Sequence, residues 1–443
     1  MGKTFIIKTD SNNHSDFTIS PKTAEQINII NKKQAYVRFG CRRYYVNVKT
    51  SEYVPDNVIV LSKDIVADLY LPDYTSYEVS VNRNEIIVGP FIGLLLKKED
   101  KYFTGSSLKK LLIYAKDYSM LNGAIVVFAL DKVDAENLLI EGFCYDPQSG
   151  SWQRGTFPYP SSIYRKIGLN DQWKNHFLTI IGDCVFNNQY FSKWRMYKLL
   201  STSNIAGTHL PYTIFYTSCN DVMNMLKKFD KVYIKPASGF KGHGVVQASM
   251  NGDSIVLRYR DMRENHEIVL NNADEACAYM DKYFAGRVNI VQQGIELLRH
   301  DGKVVDFRCV VQKNQWNKWE CMAVFGRCGE MGSVISNISS GGTVFCVEEL
   351  LKKVLFSSHE HAKKVRESIE QLAVKICDEL DQCGINCGFL GLDIGIDVYG
   401  YLWLIEINNR DPCLLYALDV NDKELYFRLK VQPLYYAKYL AGF

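Results

Sequence analysis

The stretch that most constrains this chain lies near its C-terminus. Gly391-Leu392-Asp393-Ile394-Gly395-Ile396-Asp397-Val398 and Tyr401-Leu402-Trp403-Leu404-Ile405-Glu406-Ile407-Asn408 are separated only by Tyr399 and Gly400. Both runs read as strands, and so short a connection containing Gly predicts a hairpin. With Tyr399-Gly400 as the turn, Asp393 falls opposite Glu406 and Gly391 opposite Asn408. Cross-strand partners share a face, as do residues two apart on one strand. Asp393, Glu406 and Asn408 are therefore expected to converge. Facing carboxylates repel unless a cation lies between them. An oxygen donor set without thiolate or imidazole suits a hard cation, Mg2+ or Mn2+. Mg2+ held by one or two carboxylates commonly also holds substrate phosphates, which raises the question of where a phosphate binder lies.

The candidate is the run 231–246, a strand carrying Lys235, a loop with Gly239, Gly242 and Gly244, and a second strand. Glycines let backbone N–H groups turn toward an anion and tolerate positive φ. The order excludes a P-loop, where Lys follows the glycines and a helix begins. It also excludes a Rossmann turn, because Gly-x-x-Gly-x-Gly here leads into β-branched residues. What remains is a glycine-rich hairpin lid, or a plain structural turn. Lys241 and His243 within it read as solvated. Two further segments add to the pattern. Asn289-Ile290-Val291-Gln292-Gln293-Gly294-Ile295 is an apolar strand that turns polar and could offer backbone groups to a purine edge. Asp306-Phe307-Arg308 places Asp306 and Arg308 on one face of a strand, and a fixed Arg suits a transferring phosphate. Each piece taken singly is also what an ordinary strand looks like.

Size and composition set the frame. A chain of 443 residues accommodates two or three domains with ample core. With 47% hydrophobic and 23% charged residues it reads as an ordinary globular chain, and a net charge of +3 implies no general affinity for nucleic acid. The N-terminus lacks the apolar segment of a secretory signal, and Ile6 replaces the Ser or Thr of a myristoylation motif. No run reaches the length of a membrane helix. The odd count of 13 Cys then predicts reduced thiols and a cytoplasmic location. Cys377, Cys383 and Cys387 lack zinc-site spacing and read as small buried hydrophobes.

Along the chain, 1–85 reads as a small β-rich domain, with strands at 36–41, 43–48, 58–61 and 77–81. A buried strand over 86–95, a helix from Ser106 and a second strand over 124–129 predict a parallel α/β domain over 86–187. From 188 to 443 helices alternate with antiparallel-looking strands. Ala362, Val365, Ile369, Leu372, Ala373, Ile376 and Leu380 mark a long amphipathic helix.

Taken in order, Lys235 with its glycine lid, Gln292–Ile295, Asp306-x-Arg308 and Asp393…Glu406-x-Asn408 resemble the ATP-grasp superfamily over roughly 188–412. Gly89-Pro90-Phe91-Ile92-Gly93, Phe157-Pro158-Tyr159-Pro160, Tyr233-Ile234-Lys235-Pro236-Ala237-Ser238-Gly239 and Val291-Gln292-Gln293-Gly294-Ile295 look like its endospore coat-associated YheC/YheD family, over nearly the whole chain. The resemblance implies an α/β ATP-grasp fold, following a parallel α/β subdomain and the β-rich N-terminal domain. It implies that Lys193 and Lys235 contact nucleotide phosphates, with Lys198 an alternative to Lys193. Gly239, Gly242 and Gly244 would close over the phosphates, and Gln292, Gln293 and Ile295 would frame the adenine. Arg308 would stabilise charge on the γ-phosphate. Arg327, Asn337 and Gly341-Gly342 would line the phosphate and acceptor side. Lys235, Arg308 and Arg327 are thus the implied catalytic set, and Asp393, Glu406 and Asn408 the ligands of Mg2+ or Mn2+. Arg410 at the rim reads as a substrate contact or a solvated charge. Gln292 departs from the Glu that many members carry, and a neutral amide can still meet an adenine edge.

The implied activity is ATP-dependent ligation of a carboxylate to an amine or thiol through an acylphosphate. The implied ligands are ATP, the metal and an unidentified carboxylate or amine substrate. No protein nucleophile is required, because catalysis would rest on positioning and electrostatics. A different reading is a non-catalytic nucleotide-binding protein of the endospore coat, with spore-coat proteins as partners and a spore-associated location. A kinase-like phosphotransferase is a third. Neither nucleic acid nor membrane is an expected partner.

Overall fold

The computed structural model describes residues 3–11, 14–187, 191–239, 243–261, 264–332, 341–409 and 411–443. Gly242, Asn337 and Arg410 lie outside the described residues. The chain divides into two compact units. One comprises Met1–Asn188, Lys313–Lys318 and Phe427–Phe443, and the other Gln189–Gln312 and Trp319–Tyr426.

The first unit begins with a closed barrel. Its strands run in the order Thr4–Asp10, Val58–Ser62, Asp16–Ile19, Arg42–Thr50, Gln34–Phe39, Glu85–Gly89 and Ser76–Asn82. The last pairs back onto the first through Phe5 and Tyr77, so no edge is left to recruit another strand. Alternation sends Phe5, Ile7, Phe17, Ile19, Val37 and Phe39 inward. The strand expected over 86–95 is two strands, Glu85–Gly89 in the barrel and Phe91–Lys97 in the next sheet. Pro90 stands between them and has no N–H to donate to a ladder. Phe91–Lys97 pairs in parallel with Ala124–Asp134, as expected, and with Ser162–Arg165. Leu139–Asp146 and Ser151–Pro158 extend this sheet as antiparallel strands.

The C-terminal helix, Lys423–Leu440, contributes most of its length to this first unit. Ser162 Oγ donates to the Ala437 carbonyl at 2.7 Å, Tyr435 Oη to Asp117 at 3.1 Å, and Lys438 pairs with Glu78. Residues 427–443 are thus packed with the N-terminal elements, although the sequence placed them with 188–426.

In the second unit two sheets are each covered on one face by helices. The smaller is antiparallel, in the order Thr213–Phe215, Asn289–Gln293, Lys231–Pro236, Val246–Asn251, Ser254–Arg260 and Asn265–Leu270. Val232, Ile234, Val246, Ala248, Leu257 and Val291 pack under helices Cys219–Phe229 and Ala273–Phe284. Strand alternation then puts Lys231, Tyr233, Lys235 and Gln292 on the opposite face. The larger sheet runs Thr343–Cys346, Trp319–Cys328, Lys303–Lys313, Phe389–Ile396 and Leu402–Asn408. Val305, Phe307, Cys309, Leu390 and Leu392 pack with Ile369, Leu372 and Ile376 of helix His359–Gln382. Asp306, Arg308 and Asp393 are therefore on the other face.

The expectation of uniformly reduced thiols is corrected by a disulfide between Cys219 and Cys277. The two are 58 residues apart, but the helices beneath the small sheet bring their Cα atoms to 5.0 Å, within bridging range. That proximity is a tertiary fact with no local signature. Of the other clustered cysteines, Cys377 and Cys387 are buried and Cys383 is exposed.

Glu379 shows how the long helix fixes the chain ahead of Leu210–Thr213. Its carboxylate accepts from Ser203 Oγ (2.8 Å), Ile205 N (2.9 Å) and Ala206 N (2.7 Å). Burial alone would push its carboxyl up, but these bonds outweigh burial and hold it below the ordinary range. Glu379→Ala should cost about 1–3 kcal/mol by leaving buried amides unpaired. Because the pKa is depressed, this contribution is present above the ordinary carboxylate range and fades as pH falls through the folded value. Denaturation of the two proteins at neutral and acid pH checks both statements; equal midpoints at neutral pH refute them.

Candidate functional site

The hairpin forms with the expected facing pairs, Asp393 opposite Glu406 and Gly391 opposite Asn408. Its turn is longer than expected. Asp397 N donates to Tyr401 O at 3.0 Å, leaving Val398-Tyr399-Gly400 as a three-residue loop with Gly400 at φ +85°. A side chain on residue 400 would strain that backbone. The one-residue discrepancy is absorbed by a bulge at Ile405, because Ile394 pairs with Leu404 while Asp393 pairs with Glu406.

Asp393 is not left facing a like charge. Arg308 lies directly opposite it on the neighbouring strand, and grips it through Nε to Oδ1 and through Nη2 to Oδ2 at 3.1 Å. Arg327, from the strand beyond, reaches Asp393 Oδ2 at 3.0 Å while binding Asp306 fork-on at 2.7 and 2.6 Å. Asn408 Nδ2 approaches Asp393 Oδ2 at 3.5 Å. All four charged side chains are buried. Burial alone would push the Asp393 carboxyl up; the two guanidinium groups outweigh it and hold the group below its usual range.

Glu406 has a separate partner. Lys193, the first residue of helix Lys193–Leu200, places Nζ 2.9 Å from Glu406 Oε1 and 3.1 Å from the Gly239 carbonyl. Its backbone N–H also donates to Ala237 O at 2.9 Å. Lys193 therefore ties the hairpin to the start of the glycine loop. Its alternative, Lys198, lies over the Trp194 ring instead.

Lys235 is half-buried and donates to Gln292 Oε1 at 2.5 Å. Burial pushes its ammonium down to about 8, against the upward pull of Glu406 and Asp393, while Lys193 adds like-charge repulsion. The Gln292 amide is engaged at both ends, since its Nε2 donates to Thr213 Oγ1 at 3.1 Å. Register explains this, because Tyr233 pairs with Gln292, which aims Gln292 along the same face as Lys235. Gln293 bonds Tyr212 through its backbone N–H (2.8 Å), and its side-chain oxygen accepts from Tyr212 N (3.2 Å). Gly294 N donates to Lys231 O, and Ile295 is half-buried beyond it. In the glycine loop, Gly244 has φ +74° with Pro236 3.0 Å from where a Cβ would lie, so only Gly fits there without strain. Gly239 has ordinary φ and open space. Gly341 lies at φ +98° against Glu330 and Gly342 follows it.

Lys193, Lys235, Arg308, Arg327, Asp393, Glu406, Gln292 and Asn408 are thus brought to one polar region between the sheets of the second unit. Thr213 and Tyr416 were missed. Thr213 is the partner of Gln292, and the Arg308 guanidinium lies 5.8 Å from the Tyr416 ring centroid. Neither carries a local motif, since each arrives through a strand pairing or a loop return.

The donor set suits Mg2+ or Mn2+. Asp393, Glu406 and Asn408 offer oxygen only. A carboxylate oxygen accepts about two bonds, and among the described residues Arg308 Nε donates to Asp393 Oδ1. That oxygen keeps capacity for a cation. Among the described residues no cluster of three His, Cys, Asp or Glu side chains forms an alternative centre, and no helix is long and apolar enough to cross a membrane.

The chain is 23% identical to the endospore coat-associated protein YheD of Bacillus subtilis (strain 168) over 421 residues, covering 92% of this chain and 90% of YheD. It is 19% identical to the endospore coat-associated protein YheC of the same organism over 218 residues, covering 49% of this chain and 59% of YheC. Among solved structures, the ATP-grasp ligase PsnB complexed with a phosphomimetic minimal precursor, Mg and ADP aligns with a TM-score of 0.45 at 12% identity, covering 80% of this chain and 99% of PsnB. The VanG D-Ala:D-Ser ligase of Enterococcus faecalis aligns with a TM-score of 0.43 at 12% identity, covering 78% and 100%. The model of the YheC/D like ATP-grasp family matches residues 182–440. That is more than half of the chain, which therefore belongs to the YheC/D-like ATP-grasp family.

Proposed function

We propose that this chain binds ATP with Mg2+ in the second unit and uses it as an ATP-dependent carboxylate–amine or carboxylate–thiol ligase. One observation carries the reading. Four cationic side chains, Lys193, Lys235, Arg308 and Arg327, gather with three carboxylates, Asp306, Asp393 and Glu406. The surplus is positive and largely buried, which suits a polyphosphate better than a free metal ion.

Lys235 and Lys193 hold the phosphates. Because the Gln292 amide is spent on Lys235 and Thr213, and the N–H groups of Gln293 and Gly294 on Tyr212 and Lys231, the adenine edge is left to the Ile295 N–H and the backbone carbonyls of 293–295. Asp393, Glu406 and Asn408 hold the Mg2+, which supplies charge neutralisation of the phosphates. Arg308 and Arg327 face the charge that develops on the γ-phosphoryl group. A substrate carboxylate oxygen attacks the γ-phosphorus, the bond to the β-phosphate oxygen breaks, and ADP leaves. An amine or thiol then bonds to the acyl carbon, phosphate departs, and the nucleophile's proton passes to solvent. Positioning and electrostatics account for the acceleration without a protein nucleophile.

Glu406→Gln tests the metal assignment cleanly, because Glu406 is only partly buried and its loss leaves the core intact. It should abolish detectable Mg-ATP binding by calorimetry; unchanged binding sinks the assignment. Hydroxylamine added during turnover with substrate should trap the acylphosphate as a hydroxamate.

The name shared by YheC and YheD supports a second reading, a nucleotide-binding assembly protein of the endospore coat. ATP binding that persists without phosphate release, across broad carboxylate and amine libraries, favours this one.

A further inference from the structure

Arg327 is anchored from behind. Asp306 and Arg308 stand two apart on the central strand Lys303–Lys313, with Arg327 on one neighbouring strand and Asp393 on the other. Arg327 crosses the central strand. Its Nε and Nη2 dock on Asp306 at 2.7 and 2.6 Å, and the same Nη2 continues to Asp393 Oδ2 at 3.0 Å. The side chains of Asp306, Arg327 and Asp393 are 5%, 4% and 8% exposed. A two-point fork leaves a guanidinium little freedom, so Asp306 dictates where Nη2 sits. The oxygens of Asp393 are then unequal. Oδ2 receives Arg308, Arg327 and Asn408, while Oδ1 receives Arg308 Nε among the described residues.

We propose that Asp306 is a positioning residue that, by locking Arg327, saturates Asp393 Oδ2 and reserves Asp393 Oδ1 for the divalent cation. This rests on the Mg-ATP reading above. Asp306 touches neither nucleotide nor metal; it acts through Arg327. A role limited to balancing the buried Arg327 charge would affect stability and leave metal preference alone.

The test is the ratio of ATP affinity with Mn2+ to ATP affinity in EDTA, measured by calorimetry on the full chain, so that any general weakening cancels. Loss of a residue that orients a metal ligand costs roughly 10–100-fold in metal affinity, and Asp306→Asn should lower the ratio by about that factor. Asp306→Asn leaves a buried guanidinium short of its partner, so the double variant Asp306→Asn/Arg327→Gln is made alongside. It removes both charges and should show the same loss, because Asp393 Oδ2 again lacks its second clamp. A ratio matching the parent in either folded variant overturns the role of Asp306 while leaving Mg-ATP binding intact. A parent chain that binds no ATP in either condition overturns the nucleotide reading itself, and this proposal with it.

Discussion

Lys235→Met should weaken ATP binding about ten- to hundredfold, since a charge-assisted hydrogen bond contributes roughly 1.5–3 kcal/mol. Met fills the volume of the aliphatic stem, so the small sheet should persist. The loss should also be visible in protons. Burial holds the ammonium at about 8, well below the ordinary value near 10.4. A bound polyphosphate favours the charged form and draws that value back up. ATP binding above pH 8 therefore takes up a proton, and affinity falls as pH rises past the pKa of the free site. The stability of the unliganded protein moves the other way. Between pH 8 and about 10.4 the unfolded chain holds more protons at this group than the folded one, so this contribution to stability grows with pH. Calorimetry at pH 8.5 in two buffers of different ionisation heat reads the uptake directly. The same uptake in Lys235→Met would remove Lys235 from the phosphate site.

Asp393→Asn should be the most destabilising single change at the site. It leaves Arg308 and Arg327, both buried, facing each other without the shared carboxylate. Removing one partner of a buried ion pair costs about 3–5 kcal/mol. Acid should act in the same direction on the parent protein. The folded pKa of Asp393 is depressed by the two arginines, so its stabilisation is present above the ordinary Asp value near 3.9 and is lost as pH falls through the folded value. In Asp393→Asn that part of the acid dependence disappears. Urea denaturation at pH 7 and pH 3 checks this; a neutral-pH midpoint equal to the parent's refutes the central place given to Asp393. The contrast with Glu406 is instructive. Both are expected metal ligands, but Asp393 is clamped by two arginines in the sheet and Glu406 meets a single lysine at the rim. One change is therefore a test of folding and the other a test of binding.

How much of this was legible beforehand varied with the range of the interaction. The hairpin pairing of Asp393 with Glu406 was readable because the strands are adjacent in sequence and side chains alternate with period two. The turn was misread by one residue, yet the expected pairs survived because a bulge restores the register. Lys235 and its glycines were readable as an ordered local pattern. The Arg327–Asp393 contact was not, because it crosses a whole strand and depends on sheet order. The same holds for Gln292, whose amide was expected at the adenine and instead bonds Lys235 and Thr213. Nothing within five residues of Gln292 announces that pairing.

The sequence by itself determined the facing pairs of the terminal hairpin, the residue types on each strand face and the family. Periodicity and short-range turn chemistry act over a few residues and leave their mark in any window of that size. Only the tertiary structure decided which charge answers which. It set Asp306 behind Arg327, drew Lys193 onto Glu406 and Gly239, bridged Cys219 to Cys277, and seated the last helix in the first unit. Each of these joins residues that only sheet order and helix packing bring within a few ångströms, and over such separations no local pattern carries the information.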